Sequence, residues 1–345
     1  MNKHRVSLKD LAERLGVSIA TVSRALHGSS EIGQEMQRKV KALAKELNYR
    51  PNPFAQSLRK EAPKIIGVVV PNLVTHYYAA VLDGIEAEAQ KAGYSIISVN
   101  SHESCEAEAR AIDNFNSLHV EGIIACLAQD TTDYAHFEEI QRMGIPLVFF
   151  GRTCMVDQFS NVTANGDEAA QLATQHLIDT GSRRIAFIGG PNHLDMVRRR
   201  KHGYLEALRE NRLPILREMV VCDRIDYDVA LRNTLSLLRR PDRPDAILAF
   251  NDILTFAAFT AIRQTGLRRP DDVALIGFTD DVHARYMTPQ LSAIEDQSRL
   301  MGERACQLLL RQIGGDTTVC REVVAQKIVI RGSSSKTHND GKHDD

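Results

Sequence analysis

No apolar run in the chain approaches the roughly 18 residues of a transmembrane helix, so no membrane partner is expected. The first ten residues, MNKHRVSLKD, lack the apolar centre of a secretory signal, and a cytoplasmic protein is expected. Cysteine is sparse. Cys105, Cys126, Cys154, Cys222, Cys306 and Cys320 stand far apart, with no C-x-x-C pair and no histidine at zinc spacing. They read as reduced thiols rather than a disulfide frame or a metal site. The 12 histidines likewise form no metal-ligand cluster. Phosphate-binding and nucleophile motifs are also missing. Pro71 and Asn72 follow the first apolar run where a G-x-G-x-x-G would begin, and neither G-x-x-x-x-G-K-[ST] nor G-x-S-x-G occurs. No acidic pair stands out as an acid/base dyad. The sequence thus supports no enzyme chemistry, no cofactor and no metal.

What is present is ordinary globular composition: 345 residues, 43% hydrophobic and 25% charged, enough for two or three domains. The net charge of −1 conceals an asymmetry. Residues 1–63 hold 12 Lys and Arg against 6 Asp and Glu, while the remainder holds 31 against 38. A piece of charge +6 joined to a piece of −7 points to nucleic acid as the partner of the N-terminal segment.

That segment carries helical spacing. Leu8, Leu11, Ala12 and Leu15 fall on one helix face, with Ser7 and Asp10 in a capping-box pattern and Gly16 as a C-terminal stop. Ser18 caps a second helix running to about Leu26, and the tight Gly-Val-Ser connection makes a helix-turn-helix. Met36, Val40, Leu43, Ala44 and Leu47 mark a third helix. If Val22, Ala25 and Leu26 point inward, Ile19, Ala20, Ser23 and Arg24 lie on or near the outer face. Arg24 suits guanine, Ala20 and Ile19 suit thymine methyls, and Ser18, Thr21 and Ser23 suit phosphates.

From residue 65 the pattern changes. Apolar runs at 65–70, 94–99, 122–127, 147–150, 185–188, 219–222, 245–249 and 273–276 alternate with helical patterns, among them 79–92, 104–118, 167–180, 199–211 and 252–265. The expected architecture is α/β, with two parallel sheets.

The stretch LKDLAERLGVSIATVSRAL (8–26), followed by 38–52, closely resembles the headpiece of the LacI/GalR family of bacterial repressors. The resemblance continues through IGVVVP (66–71), RRIAFIGGP (183–191), Asn251-Asp252 and DVALIGFTD (272–280), to about residue 331. It implies a helix-turn-helix headpiece (1–52), a hinge helix and linker (53–64), and a periplasmic-binding-protein-like regulatory domain (65–331). The regulatory domain would consist of two subdomains, about 65–161 with 292–320 and 162–290 with 322–331. The polar tail, 332–345, is expected to be disordered.

The resemblance also implies roles. Ile19, Ala20 and Arg24 occupy base-reading positions, and Leu8, Ser18, Thr21, Ser23, Tyr49 and Asn52 mostly backbone-contacting ones. His27 stands where the family usually has Asn, and Gly33 where it usually has Ser or Thr. Leu58 matches a leucine that wedges into the minor groove. Tyr77, Tyr78, Arg152, Arg200, Asn251, Asp252, Thr279 and Asp280 occupy effector positions. Gly151-Arg152 and Thr279 depart from the family's usual Asp. With the run Arg198–Lys201, they hint at an anionic or phosphorylated effector, set against the plainer reading of a solvated helix face.

The implied function is a ligand-responsive regulator, a repressor by family habit, that binds a pseudo-palindromic DNA operator as a homodimer and answers to a sugar or sugar derivative. The competing reading is a small-molecule-binding or sugar-converting α/β protein without DNA binding. The basic N-terminus and the missing catalytic motifs count against it. No apolar heptads follow Gly332, so a tetramerising coiled coil is not expected.

Overall fold

The computed structural model describes residues 6–47, 49, 64–279 and 282–336. Its contacts divide the chain into residues 1–63 and 64–345, and each unit is taken by itself. The expected hinge helix at 53–60, with Asn52 and Leu58, lies outside the described residues, as do Asp280 and the chain beyond Lys336.

The first unit contains α1 (Leu8–Leu15), α2 (Ile19–Leu26) and α3 (Gln34–Glu46). Ser7 and Asp10 close the capping box, with the Ser7 N–H donating to Asp10 at 2.6 Å. Gly16 adopts φ +64°, the left-handed geometry a side chain resists, and so ends α1. The Ser18 hydroxyl accepts the Thr21 N–H at 3.1 Å and caps α2, which begins at the next residue. Leu11, Ala12, Val22, Ala25, Val40 and Ala44 form the small core.

The second unit holds two six-stranded sheets. In the first, β1 (Ile65–Val70), β2 (Ser95–Asn100), β3 (Gly122–Ala125), β4 (Leu147–Phe150), β5 (Ser160–Ala164) and β11 (Arg321–Val324) run parallel in the order β11-β5-β4-β3-β1-β2. Alternation puts Ile66, Val68 and Val70 toward α4 (His76–Lys91) and α11 (Ser298–Ile313). Val69, with Ile123 and Phe149, faces α5 (Cys105–Ser117) and α6 (Ala135–Arg142). The helices of the first pair touch through glycines: a Cβ on Gly302 would lie 2.0 Å from the Val81 carbonyl oxygen.

The second sheet contains β6 (Ile185–Gly189), β7 (Val220–Cys222), β8 (Ala246–Ala249), β9 (Ala274–Phe278), β10 (Ser292–Glu295) and β12 (Lys327–Val329), in the order β12-β10-β9-β8-β6-β7. It is parallel except for β12, which runs antiparallel to β10. Helices α7 (Gly166–Asp179), α8 (Asp195–Glu210), α9 (Tyr227–Leu238) and α10 (Asp252–Gln264) cover it.

Three points differ from expectation. The chain crosses between sheets after Ala164, after Glu295 and after Val324, rather than near 162, 291 and 321. Strand pairing moves the boundaries: Arg321 to Val324 pair with Asn161 to Ala164 in the first sheet, and Ser292 pairs with Ile276 in the second. Second, the tail is ordered past Gly332. Ser333 and Ser334 are fully buried; the Ser333 N–H donates to the Gln290 carbonyl at 2.9 Å, and its hydroxyl to the Leu275 carbonyl at 2.6 Å. Small hydroxyl side chains can be buried when every polar group finds such a partner. Third, β2 is a half-exposed edge strand, not a buried one.

Candidate functional site

On the headpiece, Ser18, Ile19, Ala20, Arg24 and His27 are exposed, and Thr21 is half-buried with its hydroxyl 2.9 Å from that of Ser18. Arg24 pairs with Glu31 at 3.0 Å, both side chains lying in solvent. An exposed pair of this kind is weak and easily exchanged for another anion. The His27 ring Nδ1 lies 2.7 Å from the Ser23 carbonyl oxygen, where it caps the end of α2. Leu8 and Tyr49 are half-buried against the headpiece core, and burial raises the Tyr49 hydroxyl above its usual range. Ser23 departs from its expected outward placement: it is only 3% exposed. A two-turn helix packed on both α1 and α3 buries a wide stripe, and Ser23 lies within it, one step from Val22. Gly33 starts α3 without any side-chain cap.

In the second unit, the strand ends of both sheets open into one cleft with an empty volume of about 580 Å³, mouth included. Tyr77, Tyr78, Arg152, Arg200, Asn251, Asp252 and Thr279 all line it. Residues far apart in sequence meet here because α/β sheets present the carboxyl ends of their strands to a shared crevice. The two tyrosines sit at the start of α4, edge to face with centroids 4.9 Å apart. The Tyr77 hydroxyl donates to Met301 Sδ at 3.1 Å. Burial holds both hydroxyls well above the ordinary tyrosine range, so they stay protonated donors.

Both arginines are anchored. Arg152 makes a two-pronged pair with Glu103, at 2.6 Å and 3.1 Å, and gives a third bond to the Leu127 carbonyl. Arg200 is 2% exposed, donates to Asp296 at 2.7 Å and to the Phe250 carbonyl, and lies 3.7 Å from the centroid of the Phe278 ring. Asn251 caps α10 through the Leu254 N–H at 3.0 Å, and the Asp252 carboxylate accepts the Ile253 N–H at 2.9 Å. Outside the cleft floor, Arg198 and Arg199 pair with Asp195 in solvent, and Lys201 bonds to Asn192. The plain reading of a solvated helix face therefore holds for these three.

Sequence reasoning missed Glu103, Cys126, Met196, Ile225, Phe250, Phe278 and Asp296, which also line the cleft. Phe250 and Phe278 were within reach, since each directly precedes a residue already singled out at a strand end. Glu103 and Asp296 had no local signal. The Cys126 thiol lies 3.9 Å from the Tyr78 hydroxyl and is pushed up to about 11 by burial.

Two further bonds cross the cleft. Gln129 belongs to the loop after β3; its side-chain Oε1 accepts the Ile225 N–H at 2.8 Å, and its carbonyl oxygen lies 2.6 Å from His193 Nε2. At the crossovers, the Gln326 N–H donates to Asn165 Oδ1 at 2.8 Å, and the Gln326 side chain donates to Asp296. Among the described residues no group of three or more His, Cys, Asp and Glu is placed to hold a metal ion, and no helix is long and apolar enough to cross a membrane.

A helix-turn-helix unit with an exposed, capped second helix, joined in one chain to a two-sheet binding cleft, has the build of a transcriptional regulator governed by a small molecule. Comparison with known proteins gives the family. The model for bacterial regulatory proteins of the lacI family matches residues 7–52, and that for the periplasmic binding protein-like domain matches residues 174–334. The chain is 31% identical over 306 residues to the ribose operon repressor of Bacillus subtilis (strain 168), covering 88% of this chain and 90% of that protein. It is 30% identical over 317 residues to catabolite control protein A of Priestia megaterium, covering 90% and 94%. Among solved structures, the complex of the transcriptional regulator CelR with cellobiose superposes with a TM-score of 0.73 at 29% identity, covering 95% of this chain and 100% of that one. The Lac repressor dimer bound to operator and the anti-inducer ONPF gives 0.81 at 25% identity, covering 96% and 99%. The chain belongs to the lacI family and is a ligand-responsive, DNA-binding transcriptional regulator.

Proposed function

We propose that this regulator is a repressor that binds a pseudo-palindromic operator as a homodimer and is controlled by a sugar or sugar derivative held in the cleft. Two half-sites need two headpieces, which makes the dimer the simplest assembly. Ile19, Ala20 and Arg24 would read base edges in the major groove, while Leu8, Ser18, Thr21, His27, Tyr49 and Asn52 would meet the backbone. Leu58 would enter the minor groove at the centre of the operator. Ser23, only 3% exposed, is left out of this reading.

The observation that carries the effector assignment is convergence. Seven of the eight residues singled out from sequence line one cleft, while Asp280 lies outside the described residues. Tyr77, Tyr78, Phe250 and Phe278 offer ring faces and edges, and the arginines, carboxylates and Asn251 offer hydrogen bonds, a combination suited to a hydroxylated ring. Among the relatives, one is named for the ribose operon and one was solved as a complex with cellobiose. In this reading the protein is a regulator rather than an enzyme, and its place is with DNA in the cytoplasm.

The test selects duplexes from a random pool with the full-length protein. It then asks, by fluorescence anisotropy, whether a sugar that raises the melting temperature also changes affinity for the selected site. A palindromic selected site with a sugar-dependent Kd supports the proposal; absence of any selected sequence rejects it.

A further inference from the structure

We propose that the cleft selects an uncharged, hydroxyl-rich ligand, and that Glu103 sets this selectivity by occupying Arg152. The inference rests on the reading of the cleft as the effector site and refines it, because an exposed arginine there would favour a phosphate or carboxylate. Neither arginine is available in that way. Arg152 and Glu103 face each other with both prongs engaged, and their side chains are only 6% and 15% exposed. Arg200 is held by Asp296, by a backbone carbonyl and by the Phe278 ring face.

The charge in the lining follows. Among the described residues, Arg152 and Arg200 are the cations, set against the carboxylates of Glu103, Asp252 and Asp296. A phosphate brought into this cleft meets more negative than positive charge at short range, in a setting where burial weakens screening. To bind Arg152 it must also displace Glu103 and leave that carboxylate buried and unpaired, the costliest way to break such a pair. A neutral ring with hydroxyls avoids both costs. Its hydroxyls donate to the carboxylates, accept from the guanidinium edges, and leave each ion pair intact.

The backbone marks Glu103 as a placed residue. His102 and Glu103 have φ of +51° and +60°, consecutive non-glycine residues in the left-handed region. Such geometry persists only where the surroundings hold it. Here the Glu103 carboxylate is fixed from two sides, by Arg152 and by the Gln129 N–H at 2.7 Å.

The experiment uses the full-length protein and inorganic phosphate, with chloride at matched ionic strength as reference, read by melting temperature and by tyrosine fluorescence. In the wild type, phosphate is expected to act no more strongly than chloride. Glu103→Gln keeps the acceptor for Gln129 but removes the charge, and should gain phosphate binding by at least tenfold. Adding Arg152→Gln should abolish that gain, which separates the cleft from any phosphate held by the headpiece. A wild-type phosphate effect that Arg152→Gln removes overturns the proposal, as does a cooperatively folded Glu103→Gln protein that gains nothing.

A second arm, independent of how the variant folds, compares pentoses and hexoses with their phosphate esters on the wild type. Any ester that stabilises more than its parent sugar overturns the proposal. If no neutral sugar stabilises the protein, the sugar reading of the effector falls, and the phosphate arm still decides the selectivity claim.

Discussion

Gln129 and Ile225 join the two sheets directly: the Gln129 side-chain oxygen, carried by the loop after β3, accepts the N–H of Ile225, which follows β7, at 2.8 Å. The loop is itself fixed to the first sheet's side. The Ala128 N–H and the Thr131 hydroxyl each donate to Glu108 at 2.7 Å, and the Gln129 N–H donates to Glu103. The contact thus links a rigid strap on one sheet to a backbone amide on the other.

Gln129→Ala should therefore loosen the closed cleft without disturbing either sheet. One hydrogen bond of this type contributes about 1 kcal/mol, so a cleft ligand should bind about fivefold more weakly. Hydrogen exchange supplies the check. The Ile225 amide should exchange faster in the variant, while amides inside β3 and β8 keep their protection. Unchanged exchange at Ile225 would contradict a role for Gln129 in closure.

Arg24→Ala should leave the headpiece folded, since the Arg24 side chain is exposed and its partner Glu31 is exposed as well. Loss of a guanine contact costs about 1–3 kcal/mol of discrimination. The expected result is a flattened sequence preference at one position per half-site, with binding to unrelated duplex little changed. Competition binding on the selected operator and on single-base variants measures both.

Gly302→Ala should destabilise the regulatory unit. Its new Cβ would stand 2.0 Å from the Val81 carbonyl oxygen, a backbone atom that α4 cannot move without parting from α11. Overpacking of this kind costs about 1–3 kcal/mol. Denaturant unfolding should show a lower midpoint for the regulatory transition, while headpiece binding to DNA stays intact at low temperature.

Buried thiols predict an alkaline weakness. Burial pushes Cys126 up to about 11 and Cys154 and Cys306 up to about 12, from an ordinary 9.0. The unfolded chain releases these protons first, so the stabilisation is complete below pH 9 and is lost as the pH climbs toward the folded values. Each thiol contributes a slope of up to about 1.4 kcal/mol per pH unit in that window. Replacing the three with alanine should flatten the decline in melting temperature above pH 9. At pH 8, alkylation of the native protein should reach Cys320 and Cys105, which are part-exposed, ahead of these three.

The parts of the fold that were readable in sequence are those with strong local periodicity. The strands from Ile65, Leu147 and Ile185 are unbroken apolar runs, and the headpiece helices carry caps and stops at each end. Strands β5, β10, β11 and β12 are three to five residues long, with sequences such as SNVTA and REVV that carry little apolar signal. They are strands because a neighbour supplies their hydrogen bonds, and no local pattern encodes that. The same holds at the cleft. Arg152 and Arg200 stand out through family resemblance, but their partners lie 49 and 96 residues away along the chain. The anionic-effector hint shows the limit: the sequence displays the arginines, and only the folded chain displays the carboxylates paired with them.

The crossovers carry one more consequence. Arg200 bonds to Asp296, Gln326 to the same Asp296, and the Gln326 amide to Asn165, so the three connections between the sheets are stitched to a cleft arginine by three hydrogen bonds. In mechanical terms, any turning of one sheet against the other would act on the cleft arginine through a single carboxylate. A ligand that draws on the Arg200 guanidinium need not push either sheet. A hydroxyl added at Arg200 keeps the Asp296 pair and still reaches the crossovers, because Asp296 is itself a crossover residue.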